Sequence, residues 1–219
     1  MKKLIFPLFF FLFISYPLSL SAQDEFYETI RNEFQGIKKQ YDTFKTFPVR
    51  MKILTEFFTE IAKIFYEKTK ENSTISSFYD QGIAEAFIDT TLFLNFFEDK
   101  IYEGQLIKVF GHGLQKTIPS LRQAILQISR QKQYSYFNLE DWDKKKFLDT
   151  FFESLLILIR QNLDKMEKSS DETLLFLSGY MGGLSFYIGF NRFFDNQIQL
   201  DALTEIFVQL ARPQEKKSK

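Results

Sequence analysis

The sequence predicts an all-α protein: a single-domain bundle of seven or eight helices around a buried central helix rich in glycine and serine. Three observations carry that expectation. Apolar residues recur at helical spacing almost from end to end, and no stretch of strand-like alternation competes with them. No internal repeat period and no linker long enough to divide the chain is present. The stretch Leu174–Phe190 contains no charged residue, and a helix apolar on every side has to be surrounded. Within it Gly179 and Gly183, Ser178 and Gly182, and Ser185 and Gly189 are pairs four residues apart. Such pairs form ridges on which a second helix backbone can approach closely. A glycine inside a helix costs roughly 1 kcal/mol against alanine, so four of them require a packing reason.

The first 22 residues read as a secretory signal peptide. Met1-Lys2-Lys3 is a basic start, and Leu4–Tyr16 is an apolar run carrying five phenylalanines. Pro17 breaks the run, and Ser19-Leu20-Ser21-Ala22 offers small residues for cleavage, after Ala22 first and Ser21 second. The apolar run is shorter than the roughly 20 residues a membrane span needs. Export to the periplasm or the extracellular space follows. Residues 23–212 then form the helical domain and residues 213–219 a polar tail.

Helix periodicity orders the rest. Phe26, Ile30, Phe34, Ile37, Tyr41 and Phe44 share one face of a first helix, which Pro48 stops at or before Phe47. Met51, Leu54, Phe57, Phe58, Ile61, Ile64 and Phe65 mark a second helix that ends at Asn72-Ser73-Thr74. A third runs from about Ile75 to Ile101, and Glu103-Gly104 is read as the turn after it. Leu106–Phe110 opens a fourth helix, weakened in its middle by Gly111-His112-Gly113. Pro119 then breaks or kinks it, and Leu121, Ala124, Ile125 and Ile128 continue as a fifth segment to about Lys132. Gln133–Asp143 is the longest interruption of the period. Asp141–Lys168 is a strongly amphipathic sixth helix, and Ser169 with Glu172 is a capping box for the central helix. Leu200, Leu203, Ile206, Phe207 and Leu210 form a last short helix that Pro213 ends.

Composition narrows the function. Lys+Arg and Asp+Glu both number 28, so there is no basic excess for nucleic acid or anionic lipid. With no cysteine and one histidine, thiol chemistry and zinc sites lack their ligands, and neither a metal nor a cofactor is expected. Of the 28 phenylalanines, 28 − 5 = 23 lie beyond the signal segment, and these must fill much of the core.

The residues available for chemistry are few. His112, between two glycines, could present an imidazole as a general base, or be an ordinary exposed histidine at a helix irregularity. Glu85 and Asp89 stand one helical turn apart among Ala84, Ala86, Phe87 and Ile88, which would bury them. Glu56 and Glu60 have the same spacing on a charged, solvated face. Tyr180, Tyr187 and Arg192 on the central helix are the candidate ligand-binding side chains. The glycines of that helix are no phosphate loop, because no lysine and no strand accompany them.

The leading expectation is a non-enzymatic exported protein that binds a protein partner or an apolar small molecule or lipid through a Phe/Tyr-rich core or groove. The alternatives are an enzyme with a site near His112, Glu85 and Asp89, and a helix inserting into a membrane through 174–190, which is not favoured.

Overall fold

A computed structural model describes residues 20–43, 46–71, 75–163 and 170–211, and these form helices joined by short turns, with no strand. The helices are α1 (Leu20–Thr43), α2 (Phe47–Glu71), α3 (Ser77–Phe97), α4 (Glu103–Val109), α5 (His112–Thr117), α6 (Pro119–Phe137), α7 (Asp141–Leu163), α8 (Asp171–Phe194) and α9 (Leu200–Ala211). Most of the proposed signal segment, Asn72–Thr74, Ser169 and the tail lie outside the described residues. Leu20–Ala22 form the start of α1.

Nine helices stand among the described residues where seven or eight were expected. The extra division falls at Gly111, whose φ of 66° lies in the left-handed region and turns α4 into α5. Helix α1 is described to Thr43, before Phe47 as expected, and Pro48 lies in the first turn of α2, where its missing N–H is not needed. Asp99, at φ 55°, makes the turn after α3. Gly104 therefore sits inside the first turn of α4, and the Gln105 side chain accepts from the Tyr102 amide at 3.1 Å. The expected long interruption shrinks to Asn138–Glu140, because α6 continues to Phe137. Tyr134 and Phe137 point to solvent there, so the apolar period fades while the helix does not. The cap of α8 is Ser170, whose hydroxyl accepts from the Thr173 amide at 3.3 Å.

The core is built of rings. Phe34, Phe57, Phe58, Phe186, Phe190 and Phe207 interlock between α1, α2, α8 and α9, with Phe57 and Phe190 stacked at 4.5 Å. A second group, Phe93, Phe97, Phe110, Phe151 and Phe152, joins α3, α4 and α7. Tyr187 links the two groups, 5.2 Å from Phe58 and 4.5 Å from Phe152. Edge-to-face pairs dominate both groups, the arrangement that ring quadrupoles favour.

Helix α8 packs most extensively on α3, and also on α7, α9 and α1. The α3–α8 contact brings backbone against backbone. A Cβ on Gly179 would fall on the Tyr79 carbonyl oxygen and 3.2 Å from the Tyr79 Cα. A Cβ on Gly82 would fall on the Phe176 carbonyl oxygen and 2.8 Å from the Tyr180 amide nitrogen. The small-residue face of α8 is therefore narrower than the sequence indicated. Gly179 and Gly183 face α3, whereas Ser178 and Ser185 are exposed. The Ser185 hydroxyl turns back to donate to the Met181 carbonyl at 2.8 Å.

Candidate functional site

The site grows from one face of α3. Glu85 and Asp89, one turn apart, both reach the joint between α4 and α5, and each accepts backbone hydrogen bonds from it. Asp89 is 1% exposed; its Oδ1 accepts from the Gly111 amide at 3.1 Å and its Oδ2 from the Tyr180 hydroxyl at 2.8 Å. Glu85 accepts from the Gly113 amide at 2.6 and 2.7 Å and from the Leu114 amide at 3.3 Å. These amides open α5 and have no partner within the helix, so the carboxylate caps it.

The joint is held from its other side by Arg122 of α6, which is 7% exposed. Its Nε donates to the Phe110 carbonyl at 2.6 Å, and its terminal nitrogen donates to the Ile107 carbonyl. Arg122 thereby satisfies two carbonyls that α4 leaves open at its end. Gly113 leaves room for this arrangement, since a Cβ there would meet the Phe176 ring at 2.5 Å.

Burial governs the electrostatics. It holds the Asp89 carboxyl well above the usual carboxylate range, and the neighbouring Glu85 charge pushes the same way. The Gly111 amide, the Tyr180 hydroxyl and Arg122 oppose the shift without cancelling it. Burial raises Glu85 too, against the Gly113 and Leu114 amides, His112 and Lys116. The Tyr180 hydroxyl is likewise pushed well up by burial and by Asp89.

Two adjoining clefts open beside this joint, of about 440 and 490 Å³. Tyr66, Lys70, Glu85 and His112 line both. The first adds Phe78, Gln81, Lys116 and Phe176. The second adds Thr59, Ala62, Ile88 and Val109, and is the more apolar. Together they form a groove with α2 and α3 on one side and the α4–α5 joint on the other.

His112, Glu85, Asp89 and Tyr180 are thus brought to one place. Their arrangement differs from a catalytic one. His112 is exposed at the groove rim, and the hydrogen bonds of Glu85 go to backbone amides and none to the imidazole. A general base needs a positioned partner and a free lone pair directed at substrate. Here both carboxylates fasten the chain to itself.

The structure sets Tyr187 and Arg192 apart from the groove. Tyr187 is buried in the ring core, and Arg192 is an exposed residue pairing with Glu153 of α7 at 2.7 Å. Glu56 and Glu60 are exposed on α2. Among the described residues no group of three or more His, Asp or Glu is placed to hold a metal ion. Sequence reasoning missed Tyr66, Lys70, Val109 and Lys116. Tyr66 alone left a signal, as an aromatic residue on the charged face of α2.

Fold and site together define an all-helical protein with an open groove pinned at one helix joint. No protein-family model matches the chain, and no solved structure matches it. Among curated proteins the chain is similar to sorting nexin-4 of Eremothecium gossypii, with 26% identity over 179 residues. That match covers 77% of this chain and 42% of the relative, so the chain spans less than half of that protein's length.

Proposed function

We propose that the protein is an exported, non-enzymatic binding module whose groove takes a segment of a partner protein. The observation that carries this reading is the pair of apolar side chains left in solvent along the groove. Tyr66 is 52% exposed and Val109 46% exposed, one on each side of it. Exposed apolar side chains rimmed by charge mark interaction surfaces, and aromatic anchors supply much of the energy of such contacts. The groove also stays open to solvent along its length, whereas small-molecule sites enclose most of their ligand. A helix or extended segment laid into it would keep its outer face wet, as in other groove-binding modes.

The carboxylates support the same reading. Because Glu85 and Asp89 are spent on the α4–α5 joint, they supply a rigid wall in place of an acid–base pair. The reading of α8 as the organising helix rests on its packing against α1, α3, α7 and α9. Among the described residues α8 is also the one helix long and apolar enough to cross a membrane, with mean hydropathy 1.3 and 61% of that window buried. That degree of burial favours a core role over insertion. Export rests on the basic start and apolar run of the first 22 residues.

Site-specific photo-crosslinking in the exporting cell tests the function. A photoreactive residue in place of Tyr66 is expected to trap one defined protein, and Val109→Asp in the same chain to abolish that adduct. The same residue in place of Ile157, exposed on α7, is expected to trap nothing in common with it. An adduct with lipid instead of protein, or identical products from both positions, would overturn the proposal. Mass spectrometry of the exported chain is expected to find an N-terminus at Gln23.

A further inference from the structure

The polar end of the groove names a chemistry for what docks there. Three cationic or ionisable nitrogen side chains line it from opposite walls: Lys70 from α2, and His112 and Lys116 from α5. None of the three has an ion-pair partner among the described side chains, although ten ion pairs form elsewhere among the described residues. Acidic groups are close by. Glu85 and Glu172 line the same cleft, and Glu67 lines the adjoining one.

Both acids in this cleft have other engagements, although the Glu85 charge is also felt by His112 and Lys116. The oxygens of Glu85 are turned to the Gly113 and Leu114 amides. Glu172 lies in the first turn of α8, where the helix dipole favours a negative charge. In the neighbouring cleft Lys63 is matched by Glu60 at 2.6 Å, while Lys70 and His112 line both clefts and Lys116 the first. Lys70 keeps its ammonium 5.6 Å from the Tyr66 ring, beside the exposed anchor of the groove. The hydroxyls of Thr117 and Thr69 in this cleft are engaged with the Gly113 and Tyr66 carbonyls, each at 2.7 Å.

We infer that Lys70, His112 and Lys116 form an anion subsite that reads an acidic group, carboxylate or phosphate, on the docked segment. The inference rests on the groove reading and adds the character of the partner: an acidic segment with an apolar residue beside its acid. The apolar residue would lie along Tyr66 and Val109, and the acid between α2 and α5. Attraction at such an exposed site falls with salt, because the screening length is about 8 Å at physiological ionic strength.

His112 is the only histidine, so its ring-proton resonances overlap with no other imidazole and report on this subsite. The test follows its titration midpoint by NMR in the full exported chain, alone, with hexaglutamate, and with inorganic phosphate, in low-salt buffer. A bound anion favours the imidazolium, so the midpoint is expected to rise by about half a unit, below the 1–3 units of a closely held opposite charge. The rise is expected to vanish in Lys70→Ala/Lys116→Ala, whose exposed side chains leave the helices intact by circular dichroism. A response to hexaglutamate alone assigns the site to carboxylate, a response to phosphate alone assigns it to phosphate, and either supports the subsite. An unchanged midpoint with both probes, or the same rise in the double variant, overturns it. A protein adduct at Tyr66 together with a silent His112 would remove the subsite and leave the groove standing.

Discussion

Replacing Gly179 with valine is expected to prevent the domain from folding, and replacing it with alanine to lower its stability by about 3 kcal/mol or more. Overpacked cores usually lose roughly 1–3 kcal/mol by side-chain and backbone adjustment. Gly179 lies beyond that range because the group it would strike is the Tyr79 backbone, which cannot swing aside. Tyr79 lies in the first turn of α3, and α3 is the principal neighbour of α8. To admit one methyl, α3 and α8 must separate along their contact, and the rings packed behind them separate too. Gly36 of α1 is the control. A Cβ there meets nothing within 4 Å, so Gly36→Ala is expected to gain up to about 1 kcal/mol from helix propensity alone. Urea unfolding midpoints measure both. An unchanged midpoint for Gly179→Ala would mean that the two helices do not meet backbone to backbone.

The second large effect is expected at Asp89. Its two oxygens hold the Gly111 amide and the Tyr180 hydroxyl in a fully buried place. Asp89→Ala leaves both donors without a partner, and each buried orphan costs roughly 1–3 kcal/mol. The expected loss is about 3–5 kcal/mol, with the α4–α5 joint released first. Asp89→Asn keeps a carbonyl for Gly111 and an amide that can donate to the Tyr180 oxygen, so the fold is expected to survive it.

Asparagine also changes the response to pH. The folded-state values of Asp89 and Glu85 lie above the ordinary ones, so the folded chain binds more protons than the unfolded chain between the two. Stability from these groups is therefore fully present below the unfolded carboxylate range and declines as pH rises through the folded values. Asp80 and Asp149 are raised by burial as well and add to that slope. Thermal unfolding is expected to show a more stable protein near pH 5 than near pH 8. Asp89→Asn should flatten the difference, and an equal slope in the variant would show that Asp89 titrates normally.

Much of this architecture is legible in the sequence because phenylalanine and leucine at steps of three and four leave little choice but helix. Phe34, Phe57, Phe87, Phe152 and Phe186 are all on apolar faces and all in the core. The period failed where it stopped reporting burial, at Tyr134 and Phe137, whose rings leave the core while α6 continues. Ser178 and Ser185 misled for the converse reason. Small residues are compatible with close packing but do not require it, and only a third dimension shows which side faces α3.

The site was legible in half. Glu85 and Asp89 stood out as acids inside an apolar run, and Gly111 to Gly113 as a break in a helix. That these two features meet, 22 and 28 residues apart along the chain, follows from how α4 folds back on α3. Their meeting also changes their meaning, since carboxylates that accept amides of a turn are fasteners. Lys70, Val109 and Lys116 carried no signal, because a groove made by several helices has no pattern in any one of them.

Through its two acids α3 locks the α4–α5 joint and so gives the groove a fixed wall. Amide hydrogen exchange at Gly111 and Gly113 tests it most directly. Both amides open a helix and would exchange quickly if water were their acceptor. Both are expected to exchange as slowly as the amides in the middle of α3, and Gly111 is expected to lose its protection in Asp89→Ala. Fast exchange at both positions in the unaltered protein, with α3 protected, would contradict it.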